Sequence, residues 1–318
     1  MKMRVGIIGT GKIARHLISR LKDMGIETCF SINRSNSSSL ERLLLKERPE
    51  AVFLTISTLD KGEAAREYIL QCVKNNVPVI TCEKGAFAYH ASALQPYFNK
   101  IGCSASVGGG TRMIPLTKEL ELNGKVEIEA VLNGTLNFIF HQISGGISLD
   151  EACIEASKLG YAEPGATDSL SLLNGEMRDV IMKTCVLFNT VLSNGRFITP
   201  HQFSKFELTK EDLEKLTDGE NYRMIVSFSN NKKGKNIPYF GRKFERYWID
   251  SSWRISGGFR QINPSREHYS WLPGGVGNAI HIVENDHDIR TEYTMSGQGA
   301  GLKPTTDVML VDFYRLCG

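Results

Sequence analysis

The sequence predicts an α/β architecture: a doubly wound parallel sheet followed by a second, α+β domain with a mixed sheet. Three observations carry this. Short apolar runs alternate with amphipathic helical stretches through the first third of the chain. The first apolar run leads directly into a glycine-rich turn that opens a helix. Near residue 126 the pattern changes to a period-two strand, the start of a new sheet. With 318 residues the chain can bury more than one core.

Met3-Arg4-Val5-Gly6-Ile7-Ile8 suits a buried parallel strand, and Gly9-Thr10-Gly11-Lys12-Ile13-Ala14 opens a helix through Leu17 and Leu21. The motif is G-x-G-x-x-A. Gly9 permits the tight turn and Gly11 lets the backbone approach a pyrophosphate, which sits at the helix N-terminus near Lys12 and Ile13. Ala14 replaces the third glycine where helix meets strand. A Rossmann-type dinucleotide domain follows from this strand–turn–helix setting. The second strand, Ile26 to Ile32, ends in Asn33-Arg34-Ser35, where an NAD-preferring domain usually carries an acid for the ribose hydroxyl. Arg34 and Ser35 suit a 2′-phosphate instead, so NADP(H) is the expected cofactor, with NAD(H) as the other possibility.

After a serine-rich turn and a short helix, Ala51 to Thr58 reads as a buried strand whose end brings Ser57 and Thr58 to the ligand crevice. A helix over 61–75 leads to Val77-Pro78-Val79-Ile80-Thr81-Cys82-Glu83-Lys84, whose tail delivers Lys84 to the same edge. Ser104 to Val107 reads as a further strand before Gly108-Gly109-Gly110. The expected domains are 1–125, completed by about 297–318, and 126–296.

In the second half, Glu127 to Leu132 alternates as a half-solvated strand, ending in Asn133-Gly134-Thr135. Asn-Gly is an ordinary turn signal; a substrate-binding strand end is the sharper reading. Ser148-Leu149-Asp150-Glu151 resembles a capped helix start. Then comes the stretch that carries the chemistry, Gly160-Tyr161-Ala162-Glu163-Pro164-Gly165-Ala166-Thr167-Asp168, followed by Asp179 and Lys183. Asp179 and Lys183 share a helix face. Acids converging on one lysine can hold an amino-acid ammonium group and exchange a proton at a hydroxyl. A surface ion pair at a helix start is the plainer alternative.

Charged residues make up 23%, hydrophobic residues 41%, and the net charge is +3, so no basic excess calls for nucleic acid. Seven cysteines form no C-x-x-C pair and have no histidines at zinc spacing, which implies reduced, packing cysteines and no metal site. No apolar run is long enough to span a membrane, and a cytoplasmic location without a leader is expected. The basic turn from Asn230 to Asn236, with aromatics at Tyr247, Trp248, Trp253 and Phe259, suggests strands packed on a core rather than a nucleic-acid groove.

At this point the motifs together resemble the homoserine dehydrogenase family. They are the G-x-G-x-x-A start, V-P-V-I-T-x-x-K ending at Lys84, S-V-G-G-G from Ser106, and N-G-T-x-N-F-I from Asn133. To these add G-Y-A-E-P from Gly160, D-x-x-x-K at Asp179 and Lys183, G-N-A-I from Gly277, and G-x-G-A-G-x-x-P-T from Gly297 to Thr305. They run in order from residue 4 to about 312. The resemblance implies NAD(P)-dependent interconversion of homoserine and aspartate 4-semialdehyde in amino-acid biosynthesis, by a homodimer formed through the second domain. It further implies Lys183 as proton donor, with Lys84 binding substrate and sharing in that chemistry. Glu163 and Asp168 would hold the substrate ammonium, Asp179 would orient Lys183, and Gly134, Thr135 and Tyr161 would line the pocket. Gly301 would lie close to the cofactor.

The chain departs from the family pattern in three places. Gly165-Ala166 replaces the usual D-P after the E-P pair, and the interval from Asp168 to Asp179 is longer. Ser104 stands where the family usually has a glutamate associated with bound sodium, which weighs against a monovalent cation. Arg112 lies near the place of the usual proline. No kinase or regulatory domain is expected. Two other readings stand beside the first: a related oxidoreductase acting on another amino-acid aldehyde or alcohol, and a non-catalytic NADPH-binding protein.

Overall fold

The computed structural model describes residues 3–33, 40–162, 165–203, 206–218, 220–231, 239–247, 253–263, 269–299 and 301–318. The chain divides into two compact units, Met1–Ile114 with Cys185–Thr199 and Leu302–Gly318, and Pro115–Thr184 with Pro200–Gly301. The segment Cys185–Thr199, which the sequence partition gave to the second half, packs with the first. Asn189 explains this locally: its amide donates to the carbonyls of Phe87 and Ile198 and accepts from the Ile198 N–H.

In the first unit, β1 (Arg4–Ile8), α1 (Lys12–Asp23), β2 (Glu27–Ile32), α2 (Leu40–Glu47), β3 (Ala51–Leu54), α3 (Glu63–Lys74), β4 (Val79–Thr81), α4 (Gly85–Leu94) and β5 (Ile101–Gly102) alternate as expected. The sheet order is β2-β1-β3-β4-β5 and every pairing is parallel. The order reverses between β1 and β3, so ligands of such a sheet bind beyond the carboxyl ends of these two strands. The ends are stitched together, since Thr55 donates to the Ile8 carbonyl from both its N–H (2.8 Å) and its hydroxyl (3.2 Å). Residues 104–106 form a 3-10 turn rather than the expected strand. Their polar groups are engaged outside a strand ladder: Ser106 donates to the Cys103 carbonyl at 2.5 Å, and the Ser104 N–H and hydroxyl donate to Asp312.

α5 (Met113–Glu119) leads into the second unit, which holds β6 (Lys125–Val131), α6 (Gly134–Ser144), α7 (Leu149–Lys158) and α8 (Ser169–Leu187). Then follow α9 (Lys210–Leu216), β7 (Tyr222–Ser229), β8 (Phe240–Tyr247), β9 (Arg254–Gln261), β10 (Gly277–Asp286) and β11 (Ile289–Gln298). The sheet order is β11-β10-β6-β7-β9-β8. The α+β class is met, while the sheet carries antiparallel pairs among the described residues rather than a mixture. β6 is not half-solvated. It lies between β10 and β7, and its Glu129 is buried because Arg260 meets it at 2.5 Å. Phe140 of α6 packs on Phe259 of β9, with ring centroids 4.6 Å apart.

The last helix, α10 (Leu302–Cys317), belongs to the first unit. Met309, Leu310 and Phe313 are buried in the core with Val5, Leu17 and Phe53; Phe313 lies 5.5 Å from Phe53 between centroids. Each such large side chain contributes about 1.5–3 kcal/mol when fully buried. Cys72, Cys103, Cys153 and Cys185 are buried and in no disulfide, and burial pushes Cys72 up to about 12. No helix among the described residues is long and apolar enough to cross a membrane.

Candidate functional site

In the first unit, a candidate nucleotide site is built from the loop after β1. Gly9 has φ +121°, and a Cβ there would lie 2.6 Å from the Thr55 hydroxyl and 2.8 Å from its carbonyl oxygen. Gly9 is therefore required by the turn itself. Gly11 differs: its φ is −72° and a Cβ would meet nothing within 4 Å. The fold does not need glycine there, and the space it leaves lies at the start of α1. No side chain caps that helix, and no acid stands in its first turn. The amide donors that a helix start presents, an open approach at Gly11 and the positive end of the helix dipole together fit the pyrophosphate of a dinucleotide. Lys12 is exposed and Ile13 half-buried on this turn.

Asn33 is exposed at the end of β2; Arg34 and Ser35 lie outside the described residues. Ser57 is exposed, whereas Thr58 donates its hydroxyl to Glu83 at 2.6 Å. Glu83 was not singled out in the sequence, yet it organises this edge. Its buried carboxylate also accepts the N–H groups of Gly85 at 2.6 Å and Ala86 at 2.9 Å, the first two residues of α4. The half-buried Lys84, in the cap position of α4, is thereby held between a fixed acid and a fixed helix start. Gly301, with φ +123°, immediately precedes α10. Ser104, the family's glutamate position, donates from both N–H and hydroxyl to the buried carboxylate of Asp312, at 2.8 and 2.7 Å. Arg112 is exposed, with φ +55°.

The second unit holds the acid–lysine cluster. Asp168 caps α8, its Oδ1 accepting the Ser171 N–H at 2.7 Å; this bond above all holds its carboxyl below the usual range. It is exposed, and Glu163 lies outside the described residues, so the acids of this stretch are not seen to converge on Lys183. The convergence comes from within α8. Lys183 Nζ lies 2.7 Å from Asp179 Oδ2, with the two side chains 14% and 11% exposed. This enclosure separates the pair from a surface i, i+4 bridge. Glu176 and Asp179, three and four residues apart from their neighbours on the stripe, share that face with Lys183.

Asn133 joins the cluster from the end of β6. Its Nδ2 donates to Glu176 Oε2 at 2.6 Å and Asp179 Oδ2 at 2.9 Å, while its Oδ1 accepts the Leu136 N–H and caps α6. Asn133-Gly134 is thus a helix start and not a β-turn. The sequence placed Asn133 only within a substrate-binding strand end and gave Glu176 no role; the signal available was the spacing of Glu176 seven residues before Lys183, two helical turns on one face.

The remaining motifs meet around α6. Thr135 donates to the Tyr161 carbonyl at 2.8 Å, and the Tyr161 ring stands edge-on to Phe138 with centroids 5.3 Å apart. Tyr161 is delivered by the end of α7: its N–H returns to Ala156, the Gly160 N–H to Ser157, and Gly160 has φ +73°. A Cβ on Gly134 would lie 2.5 Å from the Val276 carbonyl oxygen. Asn137 donates to the carbonyls of Pro273 and Gly275, and Asn278 to that of Leu132. The N-G-T-x-N and G-N-A-I segments, far apart in sequence, therefore form one structure. Among the described residues no group of three His, Cys, Asp or Glu is arranged to hold a metal.

A homoserine dehydrogenase from Sulfurisphaera tokodaii is 31% identical over 261 residues, covering 80% of this chain and 73% of that protein. An NAD(+)-dependent homoserine dehydrogenase from Pseudomonas canavaninivorans is 25% identical over 262 residues, covering 80% and 67%. The fold matches a hyperthermophilic archaeal homoserine dehydrogenase solved in complex with NADPH, with a TM-score of 0.68 over 99% of this chain and 98% of that one at 20% identity. The family model for homoserine dehydrogenase matches residues 114–313, which include the whole of α6, α8 and both their motifs. The chain belongs to the homoserine dehydrogenase family.

Proposed function

We propose that the chain catalyses its family's reaction, the NAD(P)-dependent interconversion of L-homoserine and L-aspartate 4-semialdehyde, with NADP(H) preferred. The observation that carries this reading is the enclosed Lys183–Asp179 pair, 2.7 Å apart, within the residues that the homoserine dehydrogenase family model matches. A bound nicotinamide cofactor would supply the hydride acceptor for the alcohol carbon and the hydride donor for the aldehyde carbon. Gly9, Gly11 and the first turn of α1 hold its pyrophosphate, with Arg34 and Ser35 on the 2′-phosphate.

Lys183 exchanges the proton at the substrate oxygen, giving it to the developing alkoxide in the reducing direction and taking it back in the oxidising one. Asp179 fixes the direction of the Lys183 amine. Glu163 and Asp168 hold the substrate ammonium, and Gly134, Thr135 and Tyr161 shape the pocket, with Lys84 as a further substrate contact. The protein works as a cytoplasmic homodimer in amino-acid biosynthesis, its second unit forming the interface, with neither nucleic acid nor membrane as partner. A non-catalytic NADPH binder is the weaker alternative, since cofactor binding requires neither residue of the pair.

The test is nicotinamide absorbance during incubation of purified protein with L-homoserine, beside other amino-acid alcohols. Turnover confined to homoserine is expected. Faster turnover of another alcohol would move the assignment to a related oxidoreductase.

A further inference from the structure

Asn133 is 3% exposed and uses its amide at both ends. Oδ1 accepts the Leu136 N–H at 2.8 Å, which caps α6. Nδ2 carries two hydrogens and has two acceptors, Glu176 Oε2 at 2.6 Å and Asp179 Oδ2 at 2.9 Å. That Asp179 oxygen is the atom that meets Lys183 Nζ at 2.7 Å. One neutral side chain thus stands between two buried carboxylates and fixes the oxygen on which the lysine rests. Without a donor between them, two close carboxylates repel or share a proton, and either outcome turns Asp179 away from its present direction.

We propose that Asn133 is a positioning residue for Lys183, acting through Asp179, with Glu176 as the second anchor of the same amide. The cap and the bridge are separable functions. Serine caps a helix about as well as asparagine but offers one hydroxyl and cannot donate to both carboxylates. Asn133→Ser therefore keeps the helix start and removes the bridge. This inference rests on the reading of Lys183 as the group that handles the proton.

The experiment compares the parent, N133S, D179N and the double variant, using L-homoserine oxidation, NADPH binding by fluorescence titration, and thermal unfolding. N133S is expected to unfold near the parental temperature and bind NADPH with the parental Kd. Its kcat should fall by about a hundredfold, the scale of a small misplacement of a reacting group, with KM little changed. In the D179N background N133S should cost almost nothing more, because its effect passes through Asp179.

An N133S protein with parental kcat overturns the assignment, as does a loss that multiplies in full on D179N. A cap-only role, which serine preserves, predicts parental kcat and a parental unfolding temperature for N133S. Should N133S fail to fold, N133D, which keeps the size and the capping oxygen, carries the same test; parental kcat there overturns the assignment too. A parent inactive on homoserine but binding NADPH overturns the functional reading and this assignment with it, whereas an active parent confines any failure to Asn133.

Discussion

Lys183 and Asp179 face each other one turn apart on α8, their charged atoms 2.7 Å from contact to contact and both side chains largely enclosed. Solvent-exposed pairs at this spacing contribute little, whereas an enclosed pair fixes geometry and leaves a costly unpaired charge if one member is lost. Asp179→Asn keeps the shape and removes the charge. Its kcat should fall by about two orders of magnitude, with NADPH binding unchanged, as read by steady-state kinetics and titration. An unchanged kcat would show that the pair is structural.

The two glycines of the first loop should fail differently. Gly9→Ala places a Cβ 2.6 Å from Thr55 at φ +121° and should destabilise the protein by about 1–3 kcal/mol from backbone strain, with the clash in addition. Gly11→Ala meets nothing within 4 Å. Its stability should stay within about 0.5 kcal/mol of the parent. Its Kd for NADPH should rise by about tenfold or more, because the methyl occupies the approach of the pyrophosphate. Denaturant unfolding and nucleotide titration of both variants check the contrast.

Arg34→Ala should weaken NADPH by roughly ten- to a hundredfold and NADH little, since only the former offers a 2′-phosphate to the guanidinium. Equal weakening of the two would remove the phosphate role.

The Arg260–Glu129 pair of the second unit is also buried. Arg260 is 2% exposed and also donates to Ser227. Glu129→Gln leaves an uncompensated buried cation and should cost about 3–5 kcal/mol of stability in denaturant unfolding. A change below about 1 kcal/mol would show that the guanidinium is satisfied without the acid.

Much of this architecture was legible because it depends on local signals. The G-x-G-x-x-A turn, the Ser148–Glu151 capping box and the alternation of β1 to β4 with helices each follow from nearest-neighbour chemistry, and all are present in the structure. What was not legible depends on residues distant in sequence. Glu129 reads as the solvent side of an alternating strand until Arg260, 131 residues later, covers it. Ser104 reads as strand until Asp312, 208 residues on, takes its N–H and hydroxyl. Asn133-Gly134 carries a turn signal, but Glu176 and Asp179 supply acceptors for the amide, and a helix begins instead. In the acid–lysine cluster Lys183 and Asp179 were legible from one helix face, while Asn133 and Glu176, and in the first unit Glu83, needed the fold to bring their partners.

The most direct test of the account is the rate of L-homoserine oxidation by the parent and by Lys183→Ala side by side, with NADP and NAD in parallel and NADPH binding measured on both proteins. Parental turnover, faster with NADP, and a loss of about 10²–10⁴-fold in kcat for the variant with its NADPH affinity intact are predicted. A folded variant that oxidises homoserine at the parental rate would contradict the central claim that Lys183 handles the proton.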